Sequence, residues 1–224
     1  MARSLSGSPM NLQRTTPVLS ALMLAAVLVS ALVQGLRPGP VWSQTIEPLP
    51  AAAASQGPSL SFGGQRYWHR FSAGGQHEFT PGDQSDLTAW RDMVTLNVHE
   101  NVRNDDQLAG LANGVLANYR RAGRVIRTAS RPRTAARPAE HLIVALLAAP
   151  GLAEAAAARV LLVDGVGVVM VRSRRDYGAQ AVVSVGDWLT ANGPALETSL
   201  MTWSVKPTPA ELRLLERRVK PPMF

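Results

Sequence analysis

Histidine stands next to glutamate at three places in the chain: His77-Glu78, His99-Glu100 and Glu140-His141. An imidazole and a carboxylate can pass a proton between them or share a metal ion. Each pair is adjacent in sequence, however, and neighbours on a strand point to opposite faces. A working site would therefore need His77, His99 and His141 to converge from separate strands. No HExxH or other close-spaced ligand motif accompanies them, so no metal is expected. The candidates for a catalytic role are His77, His99, His141 and Glu140. The reading set against that role is of scattered, hydrogen-bonded boundary residues.

Arginine forms the second constellation. Arg120, Arg121, Arg124, Arg127, Arg131, Arg133 and Arg137 fall within 18 residues, with no acid between Asp106 and Glu140. Arg172, Arg174 and Arg175 form a second group. If the two segments are neighbours in a sheet they make one positive surface. The binding candidates are then Arg124, Arg127, Arg131, Arg133, Arg172, Arg174 and Arg175. Such a surface attracts anionic lipid heads, acidic polymers or an acidic partner protein. The opposing reading is a solvated face paired with Asp105, Asp106, Glu140 and Asp176. Arginine outnumbers lysine by 21 to 2, which reads as coding bias, and nucleic acid is not an expected partner.

Other motifs point away from chemistry. Gly165-Val166-Gly167 lacks the third glycine and the following helix of a dinucleotide loop, so no cofactor is expected. No GxSxG, SxxK or phosphate-binding loop is present. Ser130 and Ser173 stand beside arginines, and nothing in the sequence nominates a base for either. The absence of cysteine excludes disulfides, thiol nucleophiles, iron–sulfur clusters and cysteine zinc sites. Of the aromatic residues, Trp90, Trp188 and Trp203 are expected in the core, with Trp68 the exception.

Period and punctuation give the elements that position these residues. Residues 66–72 and 76–80 read as strands around Gly74-Gly75, and residues 93–100 as a third strand. Residues 86–92 read as a helical turn capped by Ser85 or Asp86. Asp105 or Asp106 caps a helix to about Arg121, ended by Gly123. Residues 124–133 and 140–149 read as strands. Residues 153–163 are ambiguous, alanine-rich at first and strand-like later. Asp164-Gly165 is a hairpin turn. Residues 178–192 read as one helix closed by Gly193, with Pro194 opening another. Thr208-Pro209-Ala210-Glu211 is a capping box for a tail helix over residues 210–219, which must dock on something to be stable.

These elements predict an α+β fold: an antiparallel β-sheet packed with two or three helices in a single compact domain. Their order resembles that of exported sandwich domains of the PsbP and Mog1-like type, a resemblance of topology only. No site or activity is taken from it.

The chain has 224 residues and a formal charge of +7. Arg3 and Arg14 are the only charges before Arg37, and residues 18–36 are apolar. A basic start followed by such a run is the pattern of an export signal, with cleavage after Ser43. The run is also nearly long enough for an uncleaved anchor, which needs about 20 residues. The expected organisation is a signal or membrane anchor over 1–43, a Pro/Ala-rich spacer over 44–59, a globular domain over 60–204, and a helix and tail over 205–224. The expected function is that of an exported, non-enzymatic envelope protein, periplasmic or secreted, that binds a partner or assists an assembly. The alternatives are an exported hydrolase or metal-dependent enzyme using His77, His99 or His141, and a peripheral membrane or polyanion binder.

Overall fold

A computed structural model of the chain describes residues 57–219. The expected export signal or anchor, residues 18–36 included, and all but the last residues of the expected spacer lie outside the described residues. The elements run β1 (Ser59–Phe62), β2 (Gln65–Ala73), β3 (Gln76–Thr80), β4 (Asp92–His99), α1 (Asp105–Ala122), β5 (Gly123–Arg131), β6 (Glu140–Ala149), β7 (Leu152–Val163), β8 (Val166–Tyr177), α2 (Ala181–Thr202) and α3 (Pro209–Val219). The eight strands form one antiparallel sheet in the order β1-β2-β3-β4-β8-β7-β6-β5. Together with the three helices this is a mixed α+β fold dominated by its sheet. No helix among the described residues is long and apolar enough to cross a membrane.

The sheet buries both of its faces. On one, Val94, Leu96, Leu142, Val144, Val168 and Met170 meet Val185, Leu189, Leu200 and Met201 of α2 and Leu212 and Leu215 of α3. On the other, Ile143, Ala145, Val160, Val169 and Val171 meet Leu108, Ala112, Val115 and Tyr119 of α1. Strand β7 lies between the two layers. Ala153, Ala155 and Ala157 face α2 while Ala156 and Ala158 face α1, all at most 1% exposed. Side chains this small let a helix settle close on each side. The segment that reads ambiguously in sequence is therefore strand throughout. Pairing with β6 on one side and β8 on the other overrides alanine's helix propensity.

Two glycines make close approaches possible. Gly75 has φ +81° in the β2–β3 turn, and a Cβ there would sit 2.7 Å from the Val98 carbonyl oxygen. Its own carbonyl accepts the Val98 N–H at 2.8 Å. Gly123 joins α1 to β5 with no intervening loop, and a Cβ there would sit 2.2 Å from the Leu146 carbonyl oxygen.

Three expected elements differ. Residues 86–92 form a single hydrogen-bonded turn that does not continue into helix: the Ala89 N–H donates to the Asp86 carbonyl at 3.2 Å, and the Asp86 carboxylate caps it by accepting the Thr88 N–H at 2.8 Å and the Thr88 hydroxyl at 2.7 Å. The α1 cap is Asn104, whose Oδ1 accepts the Gln107 N–H at 2.9 Å; Asp105 and Asp106 occupy the first turn. Finally, α2 is one helix that runs through Pro194. Proline removes the N–H that the Thr190 carbonyl would otherwise accept, and Thr190 and Pro194 both lie on the exposed side of the helix, where a missing helical bond costs least. The tail helix forms as the capping box suggests. The Thr208 N–H donates to Glu211 Oε2 at 2.7 Å, and Leu212 and Leu215 join the core that α2 closes.

Candidate functional site

The histidines separate into two groups. His69 on β2 and His77 on β3 flank Ser72: His69 Nε2 lies 2.6 Å from Ser72 Oγ, which lies 2.7 Å from His77 Nδ1. Positions 69 and 72 would point to opposite faces of a regular strand. A bulge between His69 and Phe71 adds one residue and brings both to one face. His141 on β6 is elsewhere, its Nδ1 2.9 Å from Ser130 Oγ on β5. Strands β4, β8 and β7 separate it from β3. The convergence that a three-histidine site requires is therefore not made.

His77 and His99 do line one cleft, of about 430 Å³, together with Glu100, Asn101 and Arg213 of α3. The carboxylates beside the histidines are occupied by other groups. Glu78 accepts from Gln76 at 2.6 Å, and Glu100 pairs with Arg103 at 3.1 Å and Arg213 at 2.5 Å. Glu140 pairs with Arg159 at 3.0 Å. Among the described residues no three His, Asp or Glu side chains are placed to hold a metal ion. The chemistry left to the His69–Ser72–His77 row is passage of a proton between two imidazoles through a hydroxyl.

Burial lowers the pKa of His99; it also lowers that of His69, against a hydrogen bond with the Phe71 backbone. Burial thus disfavours the charged form of both rings in the fold, and the unfolded chain binds more protons below the ordinary value of 6.5. Their contribution is present above that pH and is lost as pH falls through their lowered values. Burial raises Glu78, which acts oppositely: its cost is present at neutral pH and is relieved as acid protonates it. Going from pH 7 to 5, His99→Gln should lose less stability, read as the change in urea midpoint, than the parent chain does.

The arginines also fall into two sets. Arg172 and Arg174 share Asp92, at 2.5 and 2.9 Å. Arg172 lies over the Tyr67 ring at 5.4 Å. Arg175 pairs with Glu154 at 2.7 Å and stacks on Trp90 at 3.9 Å. Arg159, on β7, donates to the Leu200 and Trp203 carbonyls at 2.8 and 2.7 Å. This inner set is buried or half-buried.

The outer set lies on β5 and the loop after it. Arg127 and Arg133 keep 62% and 76% of their side chains exposed, and Arg124 and Arg137 are exposed as well. Arg127 pairs with Glu197 at 3.1 Å, Arg131 with Glu140 at 3.7 Å and Arg133 with Asp105 at 3.8 Å. Arg120, Arg124 and Arg137 have no ion pair among the described residues. Strands β6 and β7 stand between β5 and β8, so the two arginine groups are not neighbours and do not merge into one surface through adjacent strands.

A second cleft, of about 460 Å³, opens between α2 and the β1–β2 hairpin, lined by Tyr67, Asp92, Arg172, Trp188, Asn192 and Ser199 among others. No motif announces it, because its residues come from separate segments. Of the tryptophans, Trp90 is buried, and Trp203 is half-buried with its N–H on the Ser61 carbonyl at 2.8 Å. Trp188 is half-buried at this cleft.

No protein-family model matches the chain, and no curated protein matches it either.

Proposed function

We propose that this chain is an exported cell-envelope protein that works by binding, as a partner-binding or assembly-accessory domain, and that its working surface is the outer arginine set. One observation carries the choice of surface: Arg124, Arg127, Arg133 and Arg137 are exposed along the outermost strand and its following loop, whereas Arg159, Arg172 and Arg175 are buried. Charge presented this way attracts an acidic partner over a Debye length of about 8 Å at physiological salt. Export rests on the basic, apolar leader in the sequence. The likeness to PsbP and Mog1-type exported sandwich domains is adopted as part of this reading.

A photo-crosslinking residue at Thr128, exposed on β5, tests it in cells carrying the full chain. Adducts should appear in the envelope fraction and disappear when Arg124 and Arg133 are changed to Glu. A chain found only in the cytosolic fraction, or adducts indifferent to those changes, would contradict the reading.

A second reading, a hydrolase, is favoured by the cleft that His77 and His99 share and by the hydroxyl held between two imidazoles. Ser72 is only 6% exposed, which leaves a substrate little access to it. Labelling of Ser72 by a serine-reactive fluorophosphonate, abolished by Ser72→Ala, would promote this reading over binding.

A further inference from the structure

Strand β5 ends the sheet, and its nine residues are mostly exposed. Among the described residues, no backbone hydrogen bond beyond its ladder with β6 involves residues 124–131. The opposite edge differs. Strand β1 has four residues, and the Ser61 carbonyl on it is taken by Trp203. A long edge of unpaired N–H and C=O groups is a template for another strand.

The side chains on this edge are ordered by a second bulge. Arg124 stands opposite Leu146, Arg127 opposite Val144 and Arg131 opposite Glu140, with the register shift between Val125 and Arg127. Leu146 and Val144 belong to the face that α2 covers. The extra residue therefore keeps Arg124 and Arg127 on one face, three positions apart, in a row with Arg131. Val125, Thr128 and Ser130 face the other way.

We infer that the β5 edge takes up an extended acidic segment of another protein as a ninth strand, with its carboxylates at alternate positions against the Arg124–Arg127–Arg131 row. This deepens the binding function proposed above and rests on it. Charge complementarity selects the occupant. A second copy of this chain would set an arginine row against an arginine row, and like charges directly opposite destabilise a pair. The chain's own residues 44–59 carry one acid, Glu47, and three prolines that cannot donate to a ladder. Anionic lipid or a disordered polyanion would use the charges and ignore the backbone.

The experiment exploits that last difference. Binding of the full chain to a fluorescein-labelled nine-residue peptide of alternating Glu and Val is followed by anisotropy. Beside it run two versions N-methylated at alternate amides in the two possible phases, and vesicles containing phosphatidylglycerol. The unmodified peptide should bind saturably. One methylated phase should bind about tenfold more weakly or not at all, while the other binds like the parent. Arg124→Glu with Arg127→Glu should weaken binding by at least about tenfold and allow a Lys–Val peptide to bind instead. Both positions are exposed, so folding is retained, and a thermal melt of the variant verifies it. Equal binding of both methylated phases, vesicle binding without peptide binding, or no saturable binding would each overturn strand addition. If envelope crosslinks at Thr128 persist alongside such a failure, the binding function stands and only this mode of it falls.

Discussion

Replacing Arg159 with Met is expected to destabilise the fold by about 3–5 kcal/mol, read as a lower urea midpoint with an unchanged slope. Arg159 is 6% exposed and holds three things together. It pairs with Glu140 of β6, itself 7% exposed, at 3.0 Å, and it donates to the Leu200 and Trp203 carbonyls at the end of α2. A cation there satisfies carbonyls that a helix end leaves without partners and meets the negative end of the helix dipole. Removing it strands the Glu140 carboxylate, with only Arg131 at 3.7 Å to answer it among the described residues. Burial works against the Arg159 charge and Glu140 offsets that cost, so the net worth of the pair is smaller than the cost of breaking it. Arg159→Met combined with Glu140→Leu should therefore be less destabilised than Arg159→Met alone. A double variant that loses as much as the two single variants together would show that the two residues do not act as a pair.

Leu212→Ala is expected to cost about 2–5 kcal/mol, the range for truncating a buried leucine. Leu212 is fully buried, in the core that the sheet, α2 and α3 close together. An 11-residue helix does not hold itself together in water, so most of its stability must come from this docking. Loss of Leu212 should release α3 before the sheet opens, and far-ultraviolet circular dichroism should show a small loss of helix ahead of the main urea transition. A loss below about 1 kcal/mol, with one transition, would mean that α3 is held by its Arg213–Glu100 pair and its cap instead.

How much of this could be read in advance follows from where each signal resides. Hairpins at Gly74-Gly75 and Asp164-Gly165 were legible because a two-residue turn announces itself locally. Helix α1 was legible from Leu108, Leu111, Val115 and Tyr119 at helical spacing. Strand β7 was not, because alanine's local preference is for helix, and only two pairing partners and two covering helices decide otherwise. Pro194 read as a boundary because its rule is local, while the helix passes through it on a face open to water. The candidate sites were less legible than the fold. Both the His69–Ser72–His77 row and the Arg124–Arg127–Arg131 row depend on a bulge, and a strict alternation pattern assigns their members to opposite faces. Without the strand order, buried and exposed arginines look alike. Arg172 and Arg175 looked as available as Arg124 and Arg127, yet Asp92, Glu154, Tyr67 and Trp90 enclose them. The expectation of an export leader rests on the sequence of residues 1–43 alone.

The division of the arginines into an inner set that holds the fold and an outer set proposed to meet an acidic strand is tested most directly by amide hydrogen exchange on the full chain, with and without the Glu–Val peptide. Added protection should be confined to alternate residues of β5 between Gly123 and Arg131, whose outward N–H groups gain an acceptor. Protection that appears instead around the α2 cleft or the His77–His99 cleft, or binding that protects no β5 amide, would contradict it.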